Sequence, residues 1–224
     1  MNKKKLEAKT IETYNVIARQ WTKSHGVAND WKWAADRFRE LLPSGRVLEI
    51  GCGGGRDAAE LIDQGYEYFG TDASRGMIGV ARMNVPSAAF ECRNIYNLAS
   101  LHTQFDGFWA CAILLHIPKE RINEAFRAIS AVLKLGAKGM ISIKDGDEEE
   151  FEVRDSEGMH EERLFVYWRK EDFTRVLSQN GFSVLEYTYR PVNQRTNWHT
   201  FFVEKQKDVL NGLELDFGNK KSNP

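Results

Sequence analysis

Cysteine is scarce in this sequence, and the few cysteines present are poorly placed for cross-linking. The 3 cysteines, Cys52, Cys92 and Cys111, are odd in number and widely spaced, which argues against a disulfide framework and a paired-cysteine metal site. The 5 histidines are scattered as well. We therefore expect a reduced, cytoplasmic protein that holds no metal ion.

Long apolar runs and an excess of one charge are also missing. No stretch approaches the ~20 apolar residues of a membrane-spanning helix, and no apolar segment follows the lysines near the N-terminus, so we expect no signal peptide. Lys and Arg number 31 and Asp and Glu 32, which leaves a formal net charge of -1. This balance gives no global attraction to nucleic acid or to an anionic membrane, so neither is an expected partner.

Apolar segments and helical segments alternate through the middle of the 224-residue chain, which has the length of one α/β domain with terminal extensions. Strands are predicted at 46–50, 66–72, 88–94, 105–114 and 138–144, with helices through 57–62, 77–83 and 120–133 between them. This alternation predicts a parallel sheet covered on both faces. Ligands bind such sheets beyond the carboxyl ends of the strands.

The two ends of the chain are organised differently. Apolar residues at helical spacing predict two helices before a break at Pro43. Later, a helix at 170–180 precedes strands at 182–189 and 197–205 with only a loop between them, which predicts an antiparallel pair. The predicted fold is α/β: a doubly wound, mostly parallel seven-stranded sheet whose last strand is antiparallel.

A glycine cluster follows the first predicted strand in the segment VLEIGCGGGRD, Val47 to Asp57. Gly51, Gly53 and Gly55 stand at alternate positions between a strand and a helix, where glycine allows a sharp turn and the close approach of a ligand. The next helix offers free N–H groups and a positive dipole end. Either a pyrophosphate or an amino-acid carboxylate suits that end.

Asp72 ends the second predicted strand, about twenty residues after the glycines, where an acidic residue accepts hydrogen bonds from ribose hydroxyls. Its alternative role is to cap the helix that begins in DASRG. A nicotinamide dinucleotide also stays possible. The dinucleotide-binding pattern is Gly-x-Gly-x-x-Gly/Ala, and Gly53, Gly55 and Ala58 match its first, third and sixth positions. Glu49 favours another ligand, since a carboxylate at the strand end suits an ammonium group and not a pyrophosphate.

These segments resemble the class I S-adenosylmethionine-dependent methyltransferases. VLEIGCGGGRD is similar to the first motif of that family, and FGTDAS, Phe69 to Ser74, to the second. FDGFWACAILLHIP, Phe105 to Pro118, is similar to the fourth-strand segment, and YNVIARQW, Tyr14 to Trp21, to the N-terminal helix that covers the cofactor. The resemblance implies a Rossmann-like methyltransferase fold with a helical lid at 1–42, a cofactor-binding core at 43–204 and a C-terminal tail at 205–224.

The resemblance also assigns cofactor contacts. Glu49 and the three glycines would surround the methionine part, and Asp72 would hold the ribose. The remaining implied contacts are grouped by the part of the cofactor they face: Ala73, Met77, Asn94 and Ile95 beside the adenine, Ala110 and Cys111 below the sulfonium, and Tyr14 and Trp21 in the lid. Asn94 departs from the aspartate of many members, although an amide oxygen accepts the same hydrogen bond.

Three features on the acceptor side carry alternatives. His116 follows a sheet strand and is a candidate general base, or it is a hydrogen-bonding support. The acidic segment 145–162 is a solvated loop, or a lid that favours a neutral or cationic acceptor. The aromatic residues that follow it, Phe165, Tyr167 and Trp168, form a pocket wall or belong to the core.

The expected activity is direct in-line transfer of a methyl group from S-adenosylmethionine to a small molecule, which leaves S-adenosylhomocysteine. The protein would mainly supply proximity, alignment and a dry site. Two alternatives remain. The C-terminal half faintly resembles methyltransferases of tRNA wobble uridines, which the acidic segment argues against, and the chain could be a silent partner subunit that binds the cofactor without catalysis.

Overall fold

The computed structural model describes residues 2–25, 31–156, 158–192 and 196–207 of the chain. The predicted C-terminal tail therefore lies outside the described residues from position 208 onward. Within the described ranges, no helix is both long enough and apolar enough to cross a lipid bilayer.

Helices and strands alternate as the sequence predicts. The helices are α1 (Lys3–His25), α2 (Lys32–Leu41), α3 (Arg56–Asp63), α4 (Arg75–Asn84), α5 (Ile122–Ala131) and α6 (Lys170–Gln179). The strands are β1 (Arg46–Ile50), β2 (Glu67–Asp72), β3 (Ala89–Cys92), β4 (Phe105–Cys111), β5 (Leu133–Lys144), β6 (Glu149–Ser156), β7 (Met159–Val166), β8 (Phe182–Pro191) and β9 (Asn197–Lys205). Short 3-10 turns cover Ile95–Leu101, Leu114–His116 and Lys119–Arg121.

The central sheet has seven strands in the order β3-β2-β1-β4-β5-β9-β8. The strands from β3 to β5 in that order pair in parallel, and β9 pairs antiparallel with both β5 and β8. The predicted fold class is confirmed, including the antiparallel last strand. The parallel strands all end at one edge, and β9 starts there because it runs the opposite way.

Alternate residues of each central strand supply the two cores on the two faces of the sheet. Leu48, Phe108 and Ile141 point into one core, which α5 and α6 cover. Val47 and Trp109, their neighbours along the strands, point into the other core with Phe38 of α2. This period of two is what a sheet buried on both faces requires. α2 packs in this helix layer, whereas residues of α1 line the cavity at the carboxyl edge.

The acidic segment forms a two-stranded antiparallel hairpin, β6 and β7, outside the central sheet. The reading of this segment as a solvated loop is therefore wrong. β7 buries Met159, Leu164 and Phe165, and it also buries the ion pair of Glu161 and Arg163. Opposite charges that neutralise each other allow a strongly charged sequence to form a packed strand.

α1 binds directly to the edge of β7. The Thr10 hydroxyl accepts a hydrogen bond from the Leu164 N–H at 2.9 Å, and the Thr13 hydroxyl donates to the Glu162 carbonyl at 2.9 Å. α1 also packs on the glycine cluster, where a Cβ on Gly54 would overlap Thr22. The N-terminal helix thus joins the hairpin to the edge of the sheet where ligands bind.

Candidate functional site

A cavity of about 1480 Å³ lies at the carboxyl edge of the sheet. The ends of β1 to β5 form its floor, and α1 and the β6–β7 hairpin form its walls. Pockets for one small ligand span about 300–1,000 Å³. The cavity is therefore large enough for two molecules side by side.

The glycine loop after β1 forms one wall of this cavity. The backbone N–H of Gly51 donates to the Thr71 carbonyl at 2.7 Å, which fixes the loop on the end of β2. Gly53 has φ 53°, and a Cβ placed on it would meet no protein atom within 4 Å. Gly53 therefore presents an open backbone surface on which a ligand can lie without a side chain between them.

Asp72 holds the glycine loop and the next helix through its two carboxylate oxygens. Oδ2 accepts from the Gly53 N–H at 2.9 Å, and Oδ1 accepts from the Ser74 N–H at 2.7 Å. The N-cap of α4 is Ser74, whose hydroxyl accepts from the Met77 N–H at 3.1 Å, so Asp72 does not cap this helix. Burial raises the pKa of Asp72, and the two backbone N–H groups counter that shift. Each oxygen retains capacity for a further hydrogen bond.

Among the described residues, no cationic side chain forms an ion pair with the buried carboxyl group of Glu49. Its partner is the Tyr68 hydroxyl, which donates to it. The nearby guanidinium of Arg56 is committed to Asp57, at 2.6 Å. Burial, with the charge of Asp57, raises the pKa of Glu49 well above its usual range. An ammonium group placed beside Glu49 would compensate this buried charge, and the glycine loop leaves room for one to approach.

His116 lies on the opposite wall, in a chain of hydrogen bonds that joins β4 to α1 and β7. Its Nδ1 lies 2.6 Å from the Leu164 carbonyl and must donate to it, so Nε2 carries no proton and accepts from the Tyr14 hydroxyl at 3.0 Å. Arg163 donates to the same hydroxyl at 3.2 Å. Burial, helped by the positive charges of Arg163 and Lys144, lowers the pKa of His116 to about 3.

Most of the residues that the sequence assigned to the site line this one cavity. They are Tyr14, Trp21, Glu49, Gly51, Gly53, Asp72, Ala73, Met77, Asn94, Ile95, Cys111 and His116. Their common position follows from the sheet, since each lies at the carboxyl end of a strand or on the helix above it. The side-chain oxygen of Asn94, which the resemblance gave to adenine, accepts from the Tyr96 N–H at 3.1 Å.

Two residues assigned to the cofactor, Gly55 and Ala110, are not among the residues that line the cavity. Gly55 begins α3 with φ 84°, and its Cβ position faces Ala81 of α4 at 3.3–3.4 Å, so it serves helix packing. Ala110 is fully buried in the core beneath β4. Its neighbour Cys111 points to the other face of the strand and lines the cavity.

Several cavity residues were missed or left open by the sequence. Lys144 ends β5, and Arg163 lies in β7, just after the acidic segment 145–162. Trp198 reaches the cavity because the antiparallel strand β9 begins at this edge. Phe165 and Tyr167 line the cavity, whereas Trp168 packs in the core against Phe173 with ring centroids 5.5 Å apart.

Metal ligands are not clustered in the site. In the described ranges, no group of three or more His, Cys, Asp or Glu side chains is arranged to hold a metal ion.

Comparison with known proteins gives a match for part of the chain. Residues 47–136, from β1 into β5, match the model of the Methyltransferase domain family. This match supports the resemblance of that segment to methyltransferases. This segment carries the glycine loop, Asp72 and the end of β4, which are the parts of the cavity that the sequence assigned to the cofactor.

Curated methyltransferases match about half of the chain or somewhat more. Bacillus subtilis YqeM, which carries a provisional methyltransferase name, is 29% identical over 50% of this chain and 46% of its own length. The ubiquinone biosynthesis O-methyltransferase of Coxiella burnetii is 24% identical over 58% of this chain and 63% of its own length. The chain thus spans less than two thirds of the length of these relatives.

Solved methyltransferases share the fold over nearly the whole chain. The Burkholderia thailandensis 1,6-didemethyltoxoflavin-N1-methyltransferase, solved with its substrate and S-adenosylhomocysteine, matches with a TM-score of 0.67 and 18% identity over 90% of this chain and 88% of its own. The Synechocystis magnesium protoporphyrin IX methyltransferase, solved with S-adenosylmethionine, gives 0.69 and 15% over 92% and 98%. At these identities the likeness concerns the fold alone.

Proposed function

We propose that this chain binds S-adenosylmethionine and methylates a small molecule. The observation that carries the proposal is Glu49, a buried carboxyl with no ion-pairing cation among the described residues, in the same cavity as the open glycine loop and the Asp72 carboxylate. An amino-acid head with an ammonium group and a ribose with a diol match these features. The bound cofactor supplies a methyl group activated by a sulfonium.

The residues of one half of the cavity would hold this cofactor. Glu49 takes the ammonium group, Gly51 and Gly53 allow close approach of the amino-acid part, and the Asp72 carboxylate accepts from the ribose hydroxyls. Ala73, Met77 and Ile95 offer apolar surface to the adenine. Tyr14 and Trp21 of α1, whose rings meet edge to face at 5.6 Å, close this half from solvent.

The other half of the cavity would hold the methyl acceptor. Its volume beyond the cofactor and its aromatic lining suit a small molecule. The relatives named above include an O-methyltransferase of ubiquinone biosynthesis and an N-methyltransferase of a toxoflavin precursor, which supports this acceptor class and leaves the methylated atom open.

We assign His116 a positioning role. Its lowered pKa keeps the imidazole neutral at physiological pH, and its unprotonated Nε2 is already occupied by the Tyr14 hydroxyl. His116 therefore orients Tyr14 over the cavity. The side chains of the site contribute alignment and the exclusion of water, which is the main demand that displacement at a preactivated methyl carbon makes.

Two measurements test the proposal. Calorimetry should show binding of S-adenosylhomocysteine and none of NAD. Transfer of labelled methyl from S-adenosylmethionine should then label a small-molecule metabolite pool and leave a total RNA pool unlabelled. Tight binding of NAD would reassign the cavity, labelled RNA would favour the tRNA alternative, and cofactor binding without any transfer would indicate a silent partner subunit.

A further inference from the structure

Lys144 places an ammonium group in the acceptor half of the cavity with no counterion beside it. It is the last residue of β5, and its Nζ lies 4.0 Å from the ring centroid of Phe165 and 5.8 Å from that of Tyr167. Among the described residues, none accepts a hydrogen bond from Nζ or forms an ion pair with it. An ammonium group has three N–H donors, and burying them without acceptors is costly.

The surroundings of Lys144 are aromatic. Phe165 and Tyr167 lie beneath its ammonium group, and Trp198 is its partner across the β5–β9 pairing. All three line the cavity. A flat acceptor can lie against these rings, and a charge at its edge would then meet Nζ in a partly desolvated place where electrostatic attraction is strong.

The other charged groups around Lys144 are already engaged. Arg163, whose guanidinium lies 5.0 Å from the Phe165 centroid, is paired with Glu161. Glu152 of β6 is engaged by Arg154 at 3.3 Å and by the Tyr167 hydroxyl at 3.4 Å.

Asp145, the residue after Lys144, is engaged by His199 at 3.1 Å and by Arg169 at 3.3 Å. Glu150, another acid near Lys144, interacts with Glu148 at the rim of the cavity. That contact raises the pKa of Glu150. Burial lowers the pKa of Lys144, and Glu152 and Glu150 oppose this shift while Arg163 and Arg154 add to it. In the part of the chain that the structure describes, Lys144 thus has no hydrogen-bonding or ion-pairing partner.

We propose that Lys144 binds an anionic oxygen of the methyl acceptor, so that the acceptor is a small aromatic or conjugated acid: a phenol, an enol or a carboxylic acid. The inference rests on the proposed function and adds the chemical class of the acceptor. It replaces the expectation of a neutral or cationic acceptor, which rested on the acidic composition of 145–162. If the acceptor is a hydroxyl compound, its proton goes to water on binding. His116 cannot take this proton, because its Nε2 already accepts the hydrogen bond of the Tyr14 hydroxyl.

Matched ligands of one shape and different charge test the proposal without turnover. Benzoate, benzamide and benzylamine are titrated into the complex with S-adenosylhomocysteine, followed by calorimetry and by the fluorescence of the tryptophans that line the cavity. Benzoate should bind at least about tenfold more tightly than the other two, a factor that corresponds to 1.4 kcal/mol. 4-Nitrophenol, read by its absorbance, should bind as the phenolate.

Variants locate the effect. Lys144→Met should remove the advantage of benzoate, whereas Lys144→Arg should retain most of it, and both should bind S-adenosylhomocysteine like the wild type. Lys5→Met removes a lysine from the exposed start of α1 and should change nothing. Circular dichroism of each variant checks that the fold is kept.

The two proposals fail in different ways. If S-adenosylhomocysteine does not bind, the proposed function falls and the acceptor class falls with it. If S-adenosylhomocysteine binds but benzylamine is preferred, the three ligands bind alike, none of them binds, or Lys144→Met keeps the preference for benzoate, the acceptor class is wrong and the proposed function stands.

Discussion

The Tyr14 hydroxyl lies 3.0 Å from Nε2 of His116, and this contact joins the N-terminal helix to the 3-10 turn that follows β4. Tyr14→Phe removes the hydroxyl and keeps the ring against Trp21. We expect a loss of about 0.5–1.5 kcal/mol in the free energy of unfolding and slower methyl transfer. Urea unfolding and turnover on one preparation measure both.

Tyr66→Phe is the matched control for this variant. The Tyr66 hydroxyl donates to the Leu42 carbonyl at 2.7 Å, near the start of β2 and away from the cavity. It should lose similar stability and keep normal turnover. Normal turnover in both variants would exclude a role of the Tyr14 hydroxyl at the site.

The buried imidazole of His116 makes stability depend on pH. Its pKa is about 3 in the folded protein against 6.5 for an ordinary histidine, so the unfolded chain binds a proton that the folded protein does not. The stability that this group contributes is present above pH 6.5 and is lost as the pH falls below that value. By pH 5 this loss amounts to about 2 kcal/mol of the free energy of unfolding.

His116→Asn keeps a donor for the Leu164 carbonyl and removes the titration. The free energy of unfolding of this variant, measured in urea between pH 7 and pH 5, should fall less steeply than that of the wild type. His160→Asn removes an exposed histidine of the hairpin and should not flatten the curve. Parallel curves for His116→Asn and the wild type would show that His116 titrates normally in the folded protein.

The carboxylate of Asp72 should contribute to the affinity for S-adenosylhomocysteine, whereas the carboxylate of Asp106 should not. Asp72→Asn weakens the acceptors for Gly53, Ser74 and the ribose, and hydrogen bonds to a charged group are worth about 1.5–3 kcal/mol each. We expect at least about tenfold weaker binding of S-adenosylhomocysteine by calorimetry.

Asp106 supplies the control for Asp72. Its carboxylate also accepts a backbone N–H, that of Arg46 at 2.9 Å, at the opposite edge of the sheet. Asp106→Asn should lower the melting temperature and leave the affinity unchanged. Equal affinities for the two variants would remove the ribose role of Asp72.

The buried carboxylate of Glu49 should lower the stability of the folded protein and strengthen the binding of S-adenosylhomocysteine. Its raised pKa means that the folded protein holds a proton above pH 4.5 more tightly than the unfolded chain, so stability is lost as the pH rises through the folded pKa. Glu49→Gln abolishes that loss and should raise the melting temperature at pH 8, while weakening S-adenosylhomocysteine. Glu67→Gln, an exposed carboxyl on β2, should do neither. A less stable Glu49→Gln would mean that the charge of Glu49 is compensated without a ligand.

The sequence predicted helices and strands correctly where apolar residues recur at the spacing of that element. β1 and β9 have the predicted bounds, RVLEI and NWHTFFVEK, and each lies between two other strands of the sheet. Gly136 falls in the break between the predicted helix at 120–133 and the predicted strand at 138–144, but it lies inside β5, where its positive φ accompanies a shift of register against β4. A glycine with positive φ suits either a turn or a bulge, and only pairing with the neighbouring strand decides between them.

The acidic composition of 145–162 suggested a solvated loop where the structure has a hairpin. The same composition was the basis for expecting a neutral or cationic acceptor. Glu161 and Arg163 are charged in the sequence, yet they are buried against each other, and no local pattern reveals such a pair. The cofactor side was better predicted because its residues follow strands in sequence. Cys111 lines the cavity and Ala110 does not, since neighbouring residues of a strand face opposite sides of the sheet.

The bonds between α1 and β7 set an order on folding during synthesis. Thr10 and Leu164 are separated by 154 residues, and Thr13 and Glu162 by 149. The ribosome makes α1 well before β7, so the surface that holds α1 exists only after the hairpin emerges, and contacts so distant in sequence form slowly. The helix that lines the cavity therefore docks long after it is translated, and S-adenosylmethionine present at that moment would be enclosed as the fold completes.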